Sequence, residues 1–228
     1  MTEPKNIFIL IPAFNESKVI RKTITPVIEK GYTVVLIDDC SSDNMFEAVK
    51  DLPIRYVRHS INLGQGAAIQ TGIQYAYQQG AEYAVTFDAD GQHNYEEIPK
   101  ILEPVISGRA DITMGSRFTK GGIAESIPGI RKLVIKIAVV VNGILTGLWL
   151  TDAHNGFRAM NRMALSKIKI TQNRMAHATE FLSLIKKNKL RCEEVPVHIV
   201  YTEYSLNKGQ ANLNAINIII DIILNKIF

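Results

Sequence analysis

Two carboxylates and an amide follow an apolar run near the middle of the sequence, at Asp88, Asp90 and Gln92. Because side chains alternate along an extended chain, all three project to one side if this segment stays extended. Oxygen ligands suit a hard cation, and two carboxylates that leave positions open for phosphate oxygens suit Mg²⁺ or Mn²⁺. A calcium loop fails on position, since Gly91 is fourth from Asp88 rather than sixth and Pro99 holds the twelfth place. We therefore predict a metal site here; a solvated acidic turn is the alternative.

Short β-branched runs alternate with helical patterns through the first half of the chain. The runs predict strands at residues 7–11, 33–37, 54–57, 83–87 and 112–114. The intervening patterns predict helices at residues 17–30, 44–50, 66–79 and 94–107, the last begun by a capping box of Asn94 and Glu97. This alternation predicts an α/β fold with a mainly parallel central sheet and helices on both faces. Ligands of such sheets bind at the carboxyl ends of the strands, here residues 12–16, 38–43, 62–66 and 88–93.

The second half is less regular. We predict a helix at residues 129–145, a polar turn at 151–156, a strand at 157–160, a helix at 177–189 and a strand at 192–200. No internal repeat or low-complexity linker divides the chain. We therefore expect one domain over residues 1–210, followed by a C-terminal amphipathic helix over residues 211–228.

The composition narrows the class of protein. The 26 Lys and Arg against 22 Asp and Glu give a net charge of +4, too mild to indicate nucleic-acid binding. Only Cys40 and Cys192 are present, which excludes a disulfide framework and a four-cysteine zinc site and favours a reducing, cytoplasmic compartment. The N-terminus carries no pattern of a secretory signal, and no apolar run reaches the roughly 20 residues of a spanning helix.

Five segments occur in an order that resembles the signatures of family 2 glycosyltransferases with the GT-A fold: residues 11–16 (IPAFNE), 38–43 (DDCSSD), 62–66 (NLGQG), 88–93 (DADGQH) and 115–118 (GSRF). The chain is most similar to the branch of dolichyl-phosphate mannose synthases and bacterial polyprenyl-phosphate relatives. The resemblance implies a GT-A, Rossmann-like sheet and an inverting, metal-dependent sugar transfer. It also implies that Asp88, Asp90 and Gln92 hold the metal that bridges the donor diphosphate.

The resemblance further implies roles for residues along the chain. Asp90, Arg117 and Arg131 would be catalytic, and the nucleotide sugar would contact Pro12, Ala13, Phe14, Glu16, Ile37, Asp39, Gly64, Asp88, Ala89 and Lys208. For Asp43 we favour a helix cap over a ligand role. A dinucleotide-binding pattern fails because Ile69 stands where the third glycine belongs. Gly64 and Gly66 then permit close backbone approach near the nucleotide or pack a helix against the sheet.

The acceptor follows from a missing base. Family members that glycosylate a sugar hydroxyl carry an Asp base in an E-D pair, whereas Glu180 is followed by Phe181. A phosphate monoester is mostly anionic at neutral pH and needs no base. Residues 133–150 form an apolar stretch, and the cations before and within it suit a polyprenyl phosphate: Arg117, Lys120, Arg131, Lys132 and Lys136. A solvated helix face is the alternative for the lysines, and we favour it for Lys132. Glu180 itself either orients a substrate or is an exposed helix carboxylate.

Two further segments bear on partners. Residues 152–158 resemble the family's D-x-x-x-G-F-R stretch, implying a place near the sugar or in loop support, with His154 more structural than catalytic. The helix at 213–228 would confine its polar residues to a narrow stripe, so its apolar surface needs a membrane, another subunit, a small membrane protein or the domain itself. We expect peripheral attachment at the inner face of the membrane.

The donor is not readable from the sequence. Thr202 stands where the synthases have Arg, six residues before Lys208, which puts a mannose donor in doubt. We predict an inverting hexose transfer from a UDP- or GDP-sugar to polyprenyl phosphate. The alternatives are transfer to a saccharide in polysaccharide synthesis and a noncatalytic nucleotide-sugar-binding subunit.

Overall fold

The computed structural model describes residues 6–125, 139–140, 143–144, 146–152, 155–173 and 176–200. Strands within these ranges are β1 (Ile7–Ala13), β2 (Thr33–Asp38), β3 (Arg55–Arg58), β4 (Tyr83–Thr86), β5 (Ile112–Ser116), β6 (Ile123–Glu125), β7 (Arg158–Asn161), β8 (Cys192–Pro196) and β9 (His198–Val200). The helices are α1 (Ile20–Glu29), α2 (Met45–Val49), α3 (Gln65–Gln78), α4 (Ile98–Ile106), α5 (Arg162–Lys167) and α6 (His177–Lys187). A single 3₁₀ turn, Tyr95–Glu97, precedes α4.

The main sheet has seven strands in the order β3-β2-β1-β4-β7-β5-β8. All neighbours run parallel except β7, which is antiparallel to both β4 and β5. A second, two-stranded parallel sheet joins β6 to β9. The mainly parallel α/β sheet predicted from the alternating pattern is confirmed.

Helices cover both faces of this sheet because the strands are apolar on both sides. Along β1, Ile9 and Ile11 face a core shared with α1, α2 and α4. The alternate residues Phe8 and Leu10 face a second core shared with α3, α5 and α6. Burial on both faces holds the loops at the carboxyl edge of the sheet on a rigid base.

The predicted strand at residues 192–200 is two strands. β8 ends at Pro196, whose side-chain ring removes a donor, and β9 pairs with β6 in the small sheet. β6 itself was missed because three residues are too few to show a period. Helix α5 was missed as well, although Asn161 is a readable signal: its side chain accepts a hydrogen bond from the Ala164 amide, as an N-cap does.

The predicted capping box before α4 is only half formed. Asn94 accepts a hydrogen bond from the Glu96 amide at 3.0 Å. The Glu97 carboxylate does not return to Asn94 but accepts the His198 amide at 2.9 Å, tying α4 to β9. A contact between residues 101 positions apart outweighs the local pairing, which is why the local motif misled.

Among the residues that the structure describes, no helix combines the length and apolar character needed to cross a bilayer. The predicted helix at 129–145 lies mostly outside these residues, and the predicted C-terminal helix at 211–228 lies wholly outside them.

Candidate active site

The sheet has a switch point between β1 and β4. The chain moves outward from β1 through β2 to β3 and then returns to the other side of β1 as β4. Loops that leave neighbouring strands in opposite directions open a crevice at their carboxyl ends, where ligands of α/β sheets bind. The loops after β1, β2, β3 and β4 carry most of the predicted site residues, and all four open onto this edge.

Asp88 lies two residues after the end of β4 and is held on two sides. Its Oδ2 lies 2.9 Å from Nε2 of the buried His93, whose ring stacks on Phe157 at a centroid distance of 4.9 Å. On the other side lies Gly156, where an added Cβ would stand 2.8 Å from both carboxylate oxygens. The Asp88 carboxylate is therefore positioned by its contact with His93 on one side and by the space that Gly156, which has no side chain, leaves on the other.

Asp90 is held by its neighbour Gln92. The Gln92 backbone amide donates to Asp90 Oδ1 at 3.1 Å, and its side-chain amide nitrogen donates to Oδ2. Gln92 thus faces Asp90 with a donor. Its oxygen can face the carboxylate only with a cation between them, because two acceptors repel each other. The role of Gln92 as a metal ligand stays a prediction.

The two carboxylates have opposite pKa shifts. Burial raises the pKa of Asp90, the charge of Asp88 raises it further, and the hydrogen bonds from Gln92 offset only part of this. Burial also acts to raise the pKa of Asp88, but the positive field of His93, Arg158 and His177 brings it below the usual value. Two such carboxylates repel each other, and a divalent cation relieves that repulsion.

The residues present fit a divalent metal shared with a phosphate ligand. Within the described ranges, no group of three or more His, Cys, Asp and Glu side chains forms a metal cage. Two carboxylates with open positions are what Mg²⁺ or Mn²⁺ takes when substrate phosphates complete its coordination. The bare backbone at Gly156 leaves room for the carboxylate that such an ion needs.

A buried arginine lies behind the acidic loop. Arg158, on β7, is 2% exposed, donates from Nε to the Asn155 carbonyl at 2.9 Å and stacks its guanidinium 4.3 Å over the Phe181 ring. Burial lowers its pKa to about 10, while the charges of Asp88 and Asp152 oppose that shift. Arg158 is the arginine of residues 152–158, the segment that resembles the family's D-x-x-x-G-F-R stretch. Because its guanidinium is enclosed, it supports the loop from behind. Sequence reasoning missed its effect on Asp88.

The loops after β1 and β2 are tied to each other. The Asn15 amide donates to Ser41 Oγ at 2.9 Å, and the Ser42 amide donates to Asn15 Oδ1 at 2.8 Å. Asn15 adopts a φ of 57°, a left-handed conformation that asparagine tolerates well. This tie presents Phe14, which is 41% exposed, and encloses Glu16.

Asp43 does not cap the helix that follows it. Its Oδ2 accepts the Ser17 amide at 2.9 Å, in the turn before α1. Asn44, at the N-cap position of α2, makes no side-chain capping bond within the described chain. The cap was expected from sequence proximity, whereas the fold brings Ser17 nearer than the following helix.

Several predicted nucleotide contacts are buried at the strand ends. Pro12 and Ala13 close β1, and Pro12 is in register with Ile37 of β2. Ile37 packs against α3 at Gly72, where a Cβ would stand 2.9 Å from Ile37 Cδ1. The carbonyl of Ala89 accepts Thr23 Oγ1 from α1 at 3.1 Å. These residues shape the edge, and their contacts with a nucleotide stay predictions.

Asp39 anchors the loop after β3. Its carboxylate accepts the backbone amides of Leu63 at 2.9 Å and Gly64 at 2.6 Å. It also lies 2.7 Å from Nδ1 of His59, whose Nε2 is 2.9 Å from Thr71 Oγ1 on α3. A direct contact of Asp39 with the ribose or base stays a prediction. His59 was not singled out from the sequence, although it follows a strand at the ligand edge.

Gly66 and Glu180 serve the same loop. A Cβ at Gly66 would stand 2.0 Å from the Gln172 carbonyl oxygen, so the glycine permits close backbone approach to residues 171–173. Glu180 accepts the amides of Thr171 and Gln172, the latter at 2.8 Å, together with the Thr171 hydroxyl. Both of its oxygens accept hydrogen bonds from this loop, so the Glu180 carboxylate supports the loop and is not an exposed helix carboxylate; a role in orienting a substrate stays a prediction.

Arg117 is held by a buried aspartate. Its Nε lies 2.6 Å from Asp152 Oδ2 and its Nη2 lies 2.8 Å from Oδ1, while its backbone amide also donates to Oδ2 at 3.1 Å. The Arg117 side chain is 9% exposed and that of Asp152 is 0% exposed. Two predicted site residues, Arg131 and Lys208, lie outside the described residues, as do Lys132, Lys136 and His154.

Comparison with known proteins agrees with this architecture. Residues 8–169 match the family model described as Glycosyl transferase family 2. An uncharacterized protein of Methanocaldococcus jannaschii is 33% identical over 225 residues, covering 97% of this chain and 93% of that protein. The UDP-N-acetylglucosamine--dolichyl-phosphate N-acetylglucosaminyltransferase of Methanococcus voltae is 32% identical over 225 residues, covering 90% of each chain.

A third relative, the dolichol-phosphate mannosyltransferase of Pyrococcus furiosus, is 29% identical over 200 residues and is matched over 55% of its length. Among solved structures, glucosyl-3-phosphoglycerate synthase from Mycobacterium tuberculosis in complex with Mn²⁺ and UDP-glucose superposes with a TM-score of 0.69. That match covers 97% of this chain at 16% identity, which supports the fold. The predicted GT-A fold is confirmed.

Proposed function

The chain belongs to glycosyltransferase family 2, and we propose that it moves a hexose from a nucleotide sugar to polyprenyl phosphate with inversion of the anomeric carbon. The observation that carries this is the pair Asp88 and Asp90 at the switch point of the sheet, with opposite pKa shifts and room for a divalent ion. Asp88 and Asp90 would hold such an ion, which would supply positive charge to the leaving diphosphate.

The protein's own residues hold the donor in place. The loops after β1 and β3 are each tied to the loop after β2, by Asn15 and Asp39 respectively. In this proposal the two loops would flank the nucleotide, and the acidic loop would lie beneath its diphosphate. A nonbridging oxygen of the lipid phosphate attacks the anomeric carbon, and the bond between that carbon and the diphosphate oxygen breaks. Attack from the opposite face inverts the configuration. The hexosyl phospholipid and the free nucleoside diphosphate leave with no proton transferred.

Two observations support a phosphate acceptor. Phe181 stands at the position of the family's Asp base, and the carboxylate before it, Glu180, accepts the backbone amides of the loop at residues 171–172 with its two oxygens. A phosphate monoester needs no base at neutral pH. The relatives from M. voltae and P. furiosus carry dolichyl-phosphate acceptors in their names, and the first covers 90% of this chain.

The donor is a UDP- or GDP-linked hexose, with UDP-N-acetylglucosamine named for the M. voltae relative. We place the reaction at the inner face of the membrane, with the apolar segments outside the described residues as the contact with the lipid surface. The free Cys40 and Cys192 suit the reducing conditions of that compartment.

The test is a thin-layer assay with Mn²⁺, undecaprenyl or dolichyl phosphate and a panel of radiolabelled UDP- and GDP-sugars. We expect label from one donor to enter the lipid fraction with the wild-type protein and to be lost with Asp90→Ala. Glu96→Ala is a matched control, because Glu96 is an exposed acid six residues after Asp90, in the 3₁₀ turn before α4. It should retain wild-type transfer.

If label entered a saccharide acceptor and not the lipid fraction, the acceptor would be a sugar hydroxyl and the proposed lipid phosphate acceptor would be wrong. Donor binding with neither transfer nor donor hydrolysis would identify a noncatalytic nucleotide-sugar-binding subunit. Equal lipid labelling by wild type and Asp90→Ala would overturn the role of the acidic loop.

A further inference from the structure

Glu194 lies on β8 and binds a turn that is more than forty residues away in sequence. The Thr151 amide donates a hydrogen bond to the Glu194 carboxylate, lying 2.9 Å from Oε1 and 2.8 Å from Oε2. The Thr151 hydroxyl donates to Oε1 at 2.9 Å. The carboxylate also accepts the Asp152 amide at 3.1 Å. One carboxylate thus fixes both backbone amides of the turn formed by Thr151 and Asp152.

That turn in turn fixes Arg117. Asp152 accepts two guanidinium nitrogens and the backbone amide of Arg117. Thr151 Oγ1 lies 2.6 Å from Ser116 Oγ, and the same Ser116 hydroxyl accepts the amides of Phe118 at 3.1 Å and Thr119 at 3.2 Å. Hydrogen bonds therefore hold the last residue of β5, Ser116, and each of the three residues that follow it.

We propose that Glu194 is a positioning residue for Arg117, acting through the turn of Thr151 and Asp152, and that it thereby sets how the acceptor phosphate is held. The proposal rests on the proposed function and on the prediction from sequence that Arg117 is one of the cations that hold the lipid phosphate. A charged hydrogen-bond acceptor gives the shortest and strongest bonds to backbone amides, so this carboxylate holds the turn more firmly than water would. Displacing a positioned group by about 1 Å costs roughly a hundredfold in rate.

The adjacent residue provides a matched control. Glu193 is the neighbouring acid on the same strand, and its carboxylate lies 3.3 to 3.4 Å from the exposed Arg109 instead. Because side chains alternate along a strand, Glu193 and Glu194 project to opposite faces. Replacing either residue by alanine removes the same chemical group from the same strand.

The experiment compares wild type with Glu194→Ala, Glu194→Gln and Glu193→Ala in three measurements. These are steady-state transfer to polyprenyl phosphate, titration with UDP or GDP in the presence of Mn²⁺, and hydrogen exchange of the amides at residues 117–119. For Glu194→Ala we expect the KM for the lipid phosphate to rise roughly 10- to 100-fold, nucleotide affinity to stay within about twofold, and the three amides to exchange faster. Glu194→Gln, which keeps one acceptor oxygen, should recover part of both effects, and Glu193→Ala should match wild type.

Two results would overturn the proposal: Glu194→Ala behaving like Glu193→Ala in transfer and exchange, or Glu194→Ala weakening nucleotide binding as much as it weakens use of the lipid phosphate. The exchange measurement needs no substrate. If wild type transfers nothing to lipid phosphate, the proposed function fails, while faster exchange at residues 117–119 in Glu194→Ala alone still supports the positioning of Arg117 by Glu194.

Discussion

Gly156 lies so close to Asp88 that a side chain at position 156 would stand 2.8 Å from both carboxylate oxygens. We expect Gly156→Ala to push the Asp88 carboxylate out of place and to weaken Mn²⁺ binding at least tenfold. Overpacking should lower the free energy of unfolding by about 1 to 3 kcal/mol. Calorimetric titration with Mn²⁺ and urea unfolding measure the two effects.

A suitable control for Gly156→Ala is Gly108→Ala. Gly108 has a φ of +77° with nothing within 4 Å of an added Cβ, so alanine strains the backbone there without touching the site. We expect a loss of about 1 kcal/mol in stability and unchanged Mn²⁺ affinity. Equal affinities in the two variants would contradict the role assigned to Gly156.

In the metal-free protein, the ionised Asp90 carboxylate lowers the free energy of unfolding. Its raised pKa means that the folded protein binds a proton there more tightly than the unfolded chain does. Stability without metal therefore falls as the pH rises from the usual value of 3.8 through the raised pKa. Asp88 has a lowered pKa, so its effect on stability has the opposite sign. The stability that it contributes is fully present above pH 3.8 and is lost as the pH falls through the pKa that Asp88 has in the folded protein.

We expect Asp90→Asn to remove the loss of stability that ionisation of Asp90 causes as the pH rises. The variant should therefore unfold at a temperature equal to or above that of wild type in EDTA at pH 7. Mn²⁺ at about a hundred times its Kd should stabilise wild type by about 2.7 kcal/mol and leave Asp90→Asn unchanged. Differential scanning calorimetry with and without Mn²⁺ tests both. A variant that is less stable than wild type in EDTA and still stabilised by Mn²⁺ would contradict this account.

His59 links the Asp39 carboxylate to α3 through Thr71. We expect His59→Ala to loosen the loop at residues 62–64 and to weaken UDP or GDP binding by roughly tenfold, since a positioned group loses its support. His59→Asn keeps a donor in the place of Nδ1 and should retain most of the affinity. Titration of the nucleotide in the presence of Mn²⁺ checks this, and equal affinity in His59→Ala and wild type would show that the loop needs no such anchor.

Cys192 is a protected thiol. Burial raises its pKa to about 12, against an ordinary value of 9.0, with the Glu194 charge adding to the effect. Because only the thiolate reacts, we expect alkylation in Cys40→Ser at pH 8 to be slower by roughly a thousandfold in the folded protein than after unfolding in urea. Stability should fall as the pH rises above 9.0, since the unfolded chain ionises first. Comparable labelling rates before and after unfolding would refute this.

The prediction from sequence was most accurate where the signal is local. The alternation of apolar runs and helical patterns in the first half located β1 to β5 and α1 to α4 within a few residues, because each element depends on its own side-chain period. Errors arose where a distant partner decided the outcome. Glu97 binds the amide of His198, Asp43 binds the amide of Ser17, and Pro196 separates two strands that pair in different sheets.

The same division applies to the site. The type and order of the residues at the strand ends, with Asp88 and Asp90 after β4, determined a family and an edge of the sheet, since parallel strands bring their following loops together. Only the tertiary structure decided that Arg158 and His93 bring the pKa of Asp88 down, that Asp152 holds Arg117, and that Glu194 holds the turn beneath it. Arg158, Asp152 and Glu194 are each tens of residues away in sequence from the residue they act on, and His93, five residues from Asp88, reaches it only because the loop folds back. Charge and hydrogen bonding act over a few ångströms of space, and the order of residues along the chain does not give those distances.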